Sequence, residues 1–248
     1  MYVLLVGGVS TGEDYSSYLT QRGIPSCKID GITMKALDTA DFISLLRDHN
    51  LDGMILTSSF AAAILKDVFD KNPDILENWK TKIFYAVGAR SADILGNLVN
   101  IKSGFLNAEQ LASHLVGKKL NLLYPHSNLC SPERFKSPNI TIQGCVLYQT
   151  CENPLFEEKF KGVVNERGFP VAYVFFSPSN LKFVFEIIQK YKVITNEKVA
   201  ALGKTTENSL ISFGFTNIRR CTEPNARSLG DLLQDWLKYN LICYIRLE

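Results

Sequence analysis

The sequence predicts an α/β fold of two similar domains with mainly parallel sheets. Short apolar runs alternate with segments of helical periodicity along nearly all of the 248 residues, a pattern typical of strands joined by crossover helices. Sequence words also recur in the same order in the two halves of the chain, which indicates that one α/β unit is present twice. A chain of this length corresponds to one large domain or two small ones.

The predicted strands are seven short apolar runs, each bounded by Gly, Ser, Thr or Pro. They are Tyr2–Val6, Gly53–Leu56, Ile83–Val87, Leu120–Tyr124, Ile140–Tyr148, Ala172–Phe176 and Val199–Leu202. Small polar residues precede amphipathic segments and predict helix starts. These helices are Ala40–Leu46, after Asp38-Thr39, and Ser59–Phe69, Pro178–Ile188 and Thr205–Phe213. The alternating segment Leu241–Leu247 predicts an added edge strand.

Three pairs of sequence words define the internal repeat. They are Thr57-Ser58-Ser59 with Ser177-Pro178-Ser179, Tyr85–Ser91 with Ala200–Thr206, and Asn107-Ala108 with Asn225-Ala226. Within each pair the order of strand, small polar residues and helix is the same. We therefore expect two α/β domains of related architecture.

The domain boundaries follow from the position of the first strand. Met1–Gly8 precedes the first repeat unit, whereas the second unit, which begins near Asn153-Pro154, lacks a first strand. We therefore expect the N-terminal strand to complete the C-terminal domain. The expected domains are 1–32 with 153–248, and the inserted 33–152; the two connecting segments, Ile24–Ile32 and Val146–Asn153, would form a two-strand hinge.

Composition limits the classes of function. Hydrophobic residues make up 46% and charged residues 21% of the chain, which are ordinary globular values. No apolar stretch reaches transmembrane length. The formal net charge of +2 is far from the strongly basic balance of non-specific nucleic-acid binders, so an anionic ligand would have to be bound by local features.

The cysteines and the N-terminus favour a cytoplasmic protein. The six cysteines form no CxxC pair and have no histidine at zinc-ligand spacing, so we expect reduced, mostly packed thiols. They are Cys27, Cys130, Cys145, Cys151, Cys221 and Cys243. The apolar run Tyr2–Val6 is too short for a secretory signal and does not have the composition of a transit peptide.

The carboxyl ends of the predicted strands are the expected ligand-binding positions, because ligands bind there in open parallel sheets. The segments at these ends are Thr57-Ser58, Gly88–Ser91, Tyr124–Asn128, Ser177–Asn180 and Gly203–Thr206. Backbone N–H groups at helix N-termini bind carboxylate or phosphate without Lys or Arg. The alternative is that these Ser and Thr residues serve only as helix N-caps.

Several common site types are excluded. Gly203-Lys204-Thr205 imitates the end of a Walker A loop, but Lys198 stands where that motif needs its first glycine. Gly7-Gly8 lacks the rest of a dinucleotide fingerprint. The three histidines lie far apart in the sequence, and no Ser-His-Asp set, HExxH motif or carboxylate cluster is present. The sequence therefore shows no obvious acid/base or metal centre.

Seven sequence words resemble, in order, those of the uroporphyrinogen-III synthase family. They are Gly53–Ser58, Val87–Ala92, Asn107–Ala112, Leu122–Leu129, Leu147–Thr150 with Asn153-Pro154, Phe175–Ser179 and Ala200–Thr206. The resemblance covers nearly the whole chain. It implies an enzyme of tetrapyrrole (heme) biosynthesis that closes hydroxymethylbilane to uroporphyrinogen III, with loss of water and inversion of ring D through a spirocyclic intermediate. It implies no cofactor and no metal.

The resemblance also implies roles for individual residues. Tyr148 is the catalytic candidate, its phenol placed to hydrogen-bond the departing hydroxyl group; the alternative is an aromatic residue that only packs across strands. The substrate carries eight carboxylates, and the expected substrate-binding residues are Ser58, Ser91, Asn128, Ser177, Ser179, Asn180, Lys204, Thr205 and Thr206. Lys204 stands where many members have proline, and Cys130-Ser131-Pro132 stands where basic residues are usual.

The expected partners are a small-molecule polycarboxylate substrate and, transiently, the preceding pathway enzyme, with no nucleic acid and no membrane. The protein is expected to be a monomer. A function of a different class stays open: a non-catalytic two-domain module that binds a small carboxylate or phosphate ligand, since paired α/β domains on a double hinge are also found in solute-binding proteins.

Overall fold

The computed structural model describes residues 1–7, 14–191 and 195–245, with side chains to residue 237. Two compact units are present, and the prediction of an α/β fold with mainly parallel sheets is confirmed. Unit 1 comprises Met1–Thr33 and Cys151–Glu248, and unit 2 comprises Met34–Thr150. These divisions lie close to the expected ones at 32/33 and 152/153.

The strands and helices alternate along most of the described chain. The strands are β1 (Val3–Gly7), β2 (Ser26–Asp30), β3 (Ile32–Ala36), β4 (Gly53–Leu56), β5 (Ile83–Val87), β6 (Asn100–Phe105), β7 (Leu120–Ser127), β8 (Ile140–Glu152), β9 (Ala172–Phe175), β10 (Val199–Ala201) and β11 (Ile218–Arg220). The helices are α1 (Tyr15–Gln21), α2 (Ala40–Leu46), α3 (Ser59–Lys71), α4 (Pro73–Trp79), α5 (Ala89–Leu95), α6 (Ala108–Leu115), α7 (Phe156–Arg167), α8 (Pro178–Lys190), α9 (Lys204–Ser212) and α10 (Ala226–Ile245).

Unit 1 contains a five-stranded sheet in the order β11-β10-β9-β1-β2. The N-terminal strand β1 pairs in parallel with β2 on one side and with β9 on the other. Its side chains alternate between the two faces of the sheet: Val3 and Leu5 pack on one face, and Leu4 and Val6 on the other. The N-terminal strand therefore completes the C-terminal unit, as predicted.

Unit 2 contains a six-stranded sheet in the order β3-β8-β7-β4-β5-β6. The pairs β4/β5, β4/β7, β5/β6 and β7/β8 are parallel. Apolar clusters cover both faces of this sheet as well. Because both faces are covered, the central strands are continuous apolar runs.

Small polar side chains cap the helices that begin at the strand ends. Ser58 accepts a hydrogen bond from the N–H of Phe60 at 3.2 Å, and Ser177 accepts one from the N–H of Asn180 at 3.3 Å. At α2, Asp38 accepts from the N–H of Ala40 at 2.8 Å. These bonds satisfy N–H groups that have no partner within the helix.

The predicted edge strand at Leu241–Leu247 is wrong over its described part. α10 continues to Ile245, so residues 241–245 are helical, and residues 246–247 lie outside the described residues. The buried residues Leu229, Leu233 and Leu237 recur at intervals of four along α10, which is the spacing of an amphipathic helix. The alternation of apolar and polar residues in the tail is too short to outweigh this helical spacing.

None of the helices in the described part of the chain has the length and apolar character needed to cross a lipid bilayer. The five cysteines whose side chains are described are free thiols, and of these Cys221 is buried.

Gly53 in unit 2 lies close against the backbone of the neighbouring strand. A Cβ atom at this position would lie 2.1 Å from the carbonyl oxygen of Ile83 on the neighbouring strand β5, a backbone atom that cannot move without disturbing the sheet. We expect Gly53→Ala to lower the free energy of unfolding by about 1–3 kcal/mol or more. Urea denaturation followed by circular dichroism measures the change.

Gly162 is the matched control, because it lies on the exposed face of helix α7 and a Cβ there would have no neighbour within 4 Å among the described residues. Gly162→Ala should raise stability by about 0.5–1 kcal/mol through helix propensity. Equal effects of the two substitutions would contradict the packing argument.

Candidate active site

The carboxyl edge of the unit 2 sheet gathers hydroxyl and phenol groups. β4 ends at Leu56 and is followed by Thr57 and Ser58, and its neighbour β7 ends at Ser127. β8 pairs with β7 and carries Tyr148 opposite Ser127. Because these strands are parallel, residues that are far apart in the sequence meet at one edge of the sheet.

Tyr148 is buried in this group. Its ring packs edge-on against Phe60, with the ring centroids 5.2 Å apart. Burial raises the pKa of Tyr148 above the usual value for a phenol, and the hydroxyl groups of Ser58 and Ser127 partly oppose this rise. The phenol is therefore protonated at neutral pH and can donate a proton or a hydrogen bond.

A second phenol, Tyr124, lies at the same edge. Its hydroxyl is 3.1 Å from that of Thr57, and burial raises its pKa to about 12. The Tyr124 ring stacks on His126 with a centroid distance of 5.0 Å. Both residues lie in the predicted strand-end segment Tyr124–Asn128, but neither was expected as a site residue, because a Tyr-Pro-His run has no distinctive spacing.

His126 is buried, and its orientation is set by the backbone. Nδ1 lies 2.8 Å from the carbonyl oxygen of Ser127, and a carbonyl can only accept, so the proton is placed on Nδ1. Gly144 makes room for the ring, since a Cβ there would lie 3.0 Å from Nε2 of His126. The Nε2 side of the ring therefore lies close to the backbone of Gly144.

Asn128 follows β7 and is exposed, but its side chain is already engaged. Its Oδ1 accepts a hydrogen bond from the N–H of Thr150 at 2.8 Å, and its own N–H donates to the carbonyl oxygen of Tyr148 at 3.1 Å. Both bonds hold β8 at the position of the catalytic candidate. The side-chain amide N–H groups are not used in these bonds.

Ser91 and Thr206 occupy the same position in two different helices. Each is the third residue of its helix, in α5 and α9 respectively, and each is only 2% exposed. Both side chains therefore have little surface for direct contact with a ligand.

In unit 1, the segment Ser177–Asn180 forms the N-terminal cap of α8. In addition to the backbone bond, Ser177 accepts a hydrogen bond from Nδ2 of Asn180 at 2.8 Å. Asn180 is 2% exposed, and its Oδ1 has no hydrogen-bond partner among the described residues. Ser179 is half-buried between them, so this segment combines capping with partly accessible N–H and hydroxyl groups.

Lys204 and Thr205 are exposed at the start of α9. Nζ of Lys204 lies 2.7 Å from Oε2 of Glu207, and Nε of Arg220 lies 3.2 Å from the same oxygen. The hydrogen bond from Lys204 and the charge of Arg220 lower the pKa of Glu207. Arg220 was not found from the sequence, because the short edge strand β11 that carries it was not predicted.

Within the described residues, no group of three or more His, Cys, Asp or Glu side chains could hold a metal ion. The groups gathered at the two sheet edges are hydroxyls, phenols, an imidazole, backbone N–H groups and a few cations. Such a set can bind carboxylates and donate protons.

Comparison with known proteins agrees with this architecture. A solved structure described as a mutant uroporphyrinogen III synthase from the extremely thermophilic bacterium Thermus thermophilus aligns with a TM-score of 0.63 at 14% identity, covering 96% of this chain and 100% of that chain. A second Thermus thermophilus uroporphyrinogen III synthase structure aligns with a TM-score of 0.47 at 16% identity, covering 96% and 99%. At these identities the first match shows a shared fold.

The family is shown by a sequence-level comparison that is independent of the fold. The family model described as uroporphyrinogen-III synthase HemD matches residues 13–231. This range includes the carboxyl ends of β4, β7, β9 and β10, together with Tyr148. Because the match extends over most of the chain, the chain belongs to the uroporphyrinogen-III synthase family.

Proposed function

We propose that this enzyme converts hydroxymethylbilane to uroporphyrinogen III by closing the macrocycle with inversion of ring D and release of water. The observation that carries the proposal is the environment of Tyr148, a buried phenol whose pKa is raised and which has the hydroxyl groups of Ser58 and Ser127 beside it. Membership of a family of cyclising lyases in heme biosynthesis supports the same reaction.

In the proposed first step, the hydroxyl group on ring A leaves as water. The leaving oxygen must gain a hydrogen bond or a proton, and the phenol of Tyr148 supplies it. Loss of water produces an electrophilic azafulvene on ring A. Proton donation to a poor leaving group contributes about 10²–10⁴-fold to the rate of such a step.

The second part of the reaction determines the isomer. The substituted carbon of ring D attacks the azafulvene and forms a spirocycle; the older bond from ring D to the chain then breaks, and ring D recloses in the reversed direction with loss of a proton. Direct closure at the free carbon would give the type I isomer instead. Holding the chain so that the crowded carbon reacts first is an orientation effect, which can be worth about 7–11 kcal/mol.

Substrate carboxylates bind, in this proposal, to groups at the carboxyl edges of the two sheets. The accessible residues Ser58, Ser179, Lys204 and Thr205 contact them directly. The buried residues Ser91, Thr206 and Asn180, and the cap residue Ser177, act by shaping helix N-termini whose N–H groups face the carboxylates. This division follows the burial of each residue.

We also propose that the protein acts as a monomer in the cytoplasm. Free thiols at all five cysteines with described side chains are consistent with a reducing compartment.

The test of the proposed reaction is a product analysis. The purified chain is incubated with freshly generated hydroxymethylbilane, the products are oxidised to porphyrins, and the isomers are separated by chromatography. Isomer III should dominate. Isomer I alone, formed at the rate of the protein-free control, would exclude the synthase reaction and favour the alternative of a carboxylate- or phosphate-binding module.

The role of Tyr148 is tested by Tyr148→Phe, which removes the donor and keeps the ring against Phe60. We expect kcat for isomer III to fall by about 10²-fold or more, with the folded state retained. Tyr85→Phe is the matched control, because Tyr85 is another buried phenol of the same unit on β5. Equal turnover of the two variants would contradict the assignment of Tyr148.

The raised pKa of Tyr148 predicts a particular pH profile. A phenol with a pKa above its usual value stays protonated through neutral and moderately alkaline pH. We therefore expect kcat to show no loss from Tyr148 ionisation between about pH 7 and pH 9. The pH–rate profiles of the natural enzyme and Tyr148→Phe are compared; an alkaline limb in this range that vanishes in the variant would show that Tyr148 ionises there, and would contradict a raised pKa of the phenol.

The binding role of Lys204 is tested by Lys204→Met. Removal of this exposed cation should raise KM for the polycarboxylate by about two- to tenfold, with little change in kcat and a weaker dependence of KM on salt. Lys190→Met is the control, since Lys190 belongs to the same unit, has a similar exposure and also pairs with a glutamate, Glu157. A KM increase shared by both variants would indicate a general charge effect instead.

A further inference from the structure

The pairing of β7 with β8 contains a β-bulge beside the catalytic candidate. His126 is opposite Val146, and the next residue, Ser127, is opposite Tyr148. Leu147 is therefore an extra residue in β8. Bulges of this kind re-aim side chains and are frequent next to active sites.

The bulge changes which face of the sheet Tyr148 occupies. In a regular strand, consecutive side chains point to opposite faces. Here Leu147 and Tyr148 are both buried and both belong to the same apolar cluster, to which Leu56 also belongs and against which Phe60 packs. The bulge thus turns the phenol of Tyr148 towards α3 and Ser58.

The backbone around the bulge needs hydrogen-bond partners that a regular ladder would have supplied. The carbonyl oxygen of Leu147 accepts from the N–H of Leu37 at 3.1 Å. The carbonyl oxygen of Tyr148 accepts from the N–H of Asn128, and the N–H of Thr150 donates to Oδ1 of Asn128. Asn128 therefore supplies partners on both sides of Gln149, after β7 itself has ended.

We infer that Asn128 is a positioning residue for the synthase reaction, which fixes the bulged segment so that the Tyr148 phenol is held beside Ser58 and Ser127. The inference rests on the proposed function, in which Tyr148 is the proton donor. In this positioning role, the atom of Asn128 that matters is the acceptor Oδ1. A substrate-binding role would instead depend on the amide N–H groups, which donate to carboxylates.

Two substitutions distinguish these roles. Asn128→Ala removes the acceptor, and Asn128→Asp keeps an acceptor for the N–H of Thr150 but adds a negative charge and removes the amide donors. If Asn128 positions Tyr148, the alanine variant should lose about tenfold in kcat and form more isomer I, and the aspartate variant should recover most of this loss with KM nearly unchanged.

The opposite pattern would overturn the inference. If the amide of Asn128 binds a substrate carboxylate, Asn128→Asp should raise KM more than Asn128→Ala does, because the new carboxylate repels the substrate. The aspartate variant alone decides this point if the alanine variant proves unstable, since the KM of the aspartate variant moves in only one of the two cases.

A double-mutant cycle tests whether Asn128 acts through Tyr148. In the Tyr148→Phe background, Asn128→Ala should cause no further loss of kcat. A full additional loss in that background would refute the inference. If Tyr148→Phe itself has natural turnover, the proposed donor role fails; if Tyr148→Phe is impaired and Asn128→Ala is not, only the positioning role fails.

Asn121→Ala is the matched control. Asn121 lies on the same strand β7, at its opposite end, and its side chain also bonds to backbone, with Nδ2 donating to the carbonyl oxygen of Asn50 at 2.9 Å. Its substitution should leave the ratio of isomer III to isomer I unchanged. A matching change in this ratio would show that loss of any such bond on β7 has the same effect, and would overturn the specific role of Asn128.

Discussion

Parallel pairing of β4, β7 and β8 is the interaction on which the candidate active site depends. Backbone hydrogen bonds fix the register of the three strands, so their carboxyl ends lie along one edge of the sheet. Ser127 and Tyr148 lie on different strands, Ser58 follows a third strand, and the three residues approach one another only for this reason. Burial of both sheet faces keeps the strands rigid, and the same burial raises the pKa of the phenol. Strand pairing and burial therefore determine both the positions of these side chains and the protonation of the phenol.

The two units carry different chemistry on related architectures. The edge of unit 2 presents phenols, hydroxyls and an imidazole, whereas the edge of unit 1 presents the ion pairs of Lys204 and Arg220 with Glu207. In the proposed function, a chain with a formal net charge of only +2 binds a polycarboxylate through a few local cations and backbone N–H groups. In the proposed function, unit 2 supplies the proton donor, and both units bind carboxylates.

The parts of the fold that could be predicted from the sequence are the buried ones. All seven strands predicted from apolar runs are present, whereas the added edge strand predicted at Leu241–Leu247 is helical over its described part. β2 lies within the connecting segment Ile24–Ile32, which was expected to be one strand of the hinge. The strands β3, β6 and β11 were not predicted, and like β2 they are edges of the two sheets. Edge strands are covered less completely, so their sequences lack a continuous apolar run; β6, for example, is largely exposed. The site shows the same limit. Ser58 follows an apolar run and was expected at a strand end, and Tyr148 was assigned from the family resemblance, whereas Ser127 becomes a neighbour of Tyr148 only through a bulge, and Arg220 lies on an edge strand.

The discontinuous unit 1 has a consequence for the order in which the protein folds during synthesis. β1 is synthesised well before its partner β9, which begins at Ala172. At about 5–20 residues per second, the ribosome therefore needs roughly ten seconds or more to reach that partner. Residues of unit 2 form one continuous segment and emerge in between. Unit 2 can therefore complete its sheet while β1 is paired only with β2. Until β9 is made, one edge of the apolar strand β1 stays unpaired, and an unpaired apolar strand edge promotes aggregation of the nascent chain.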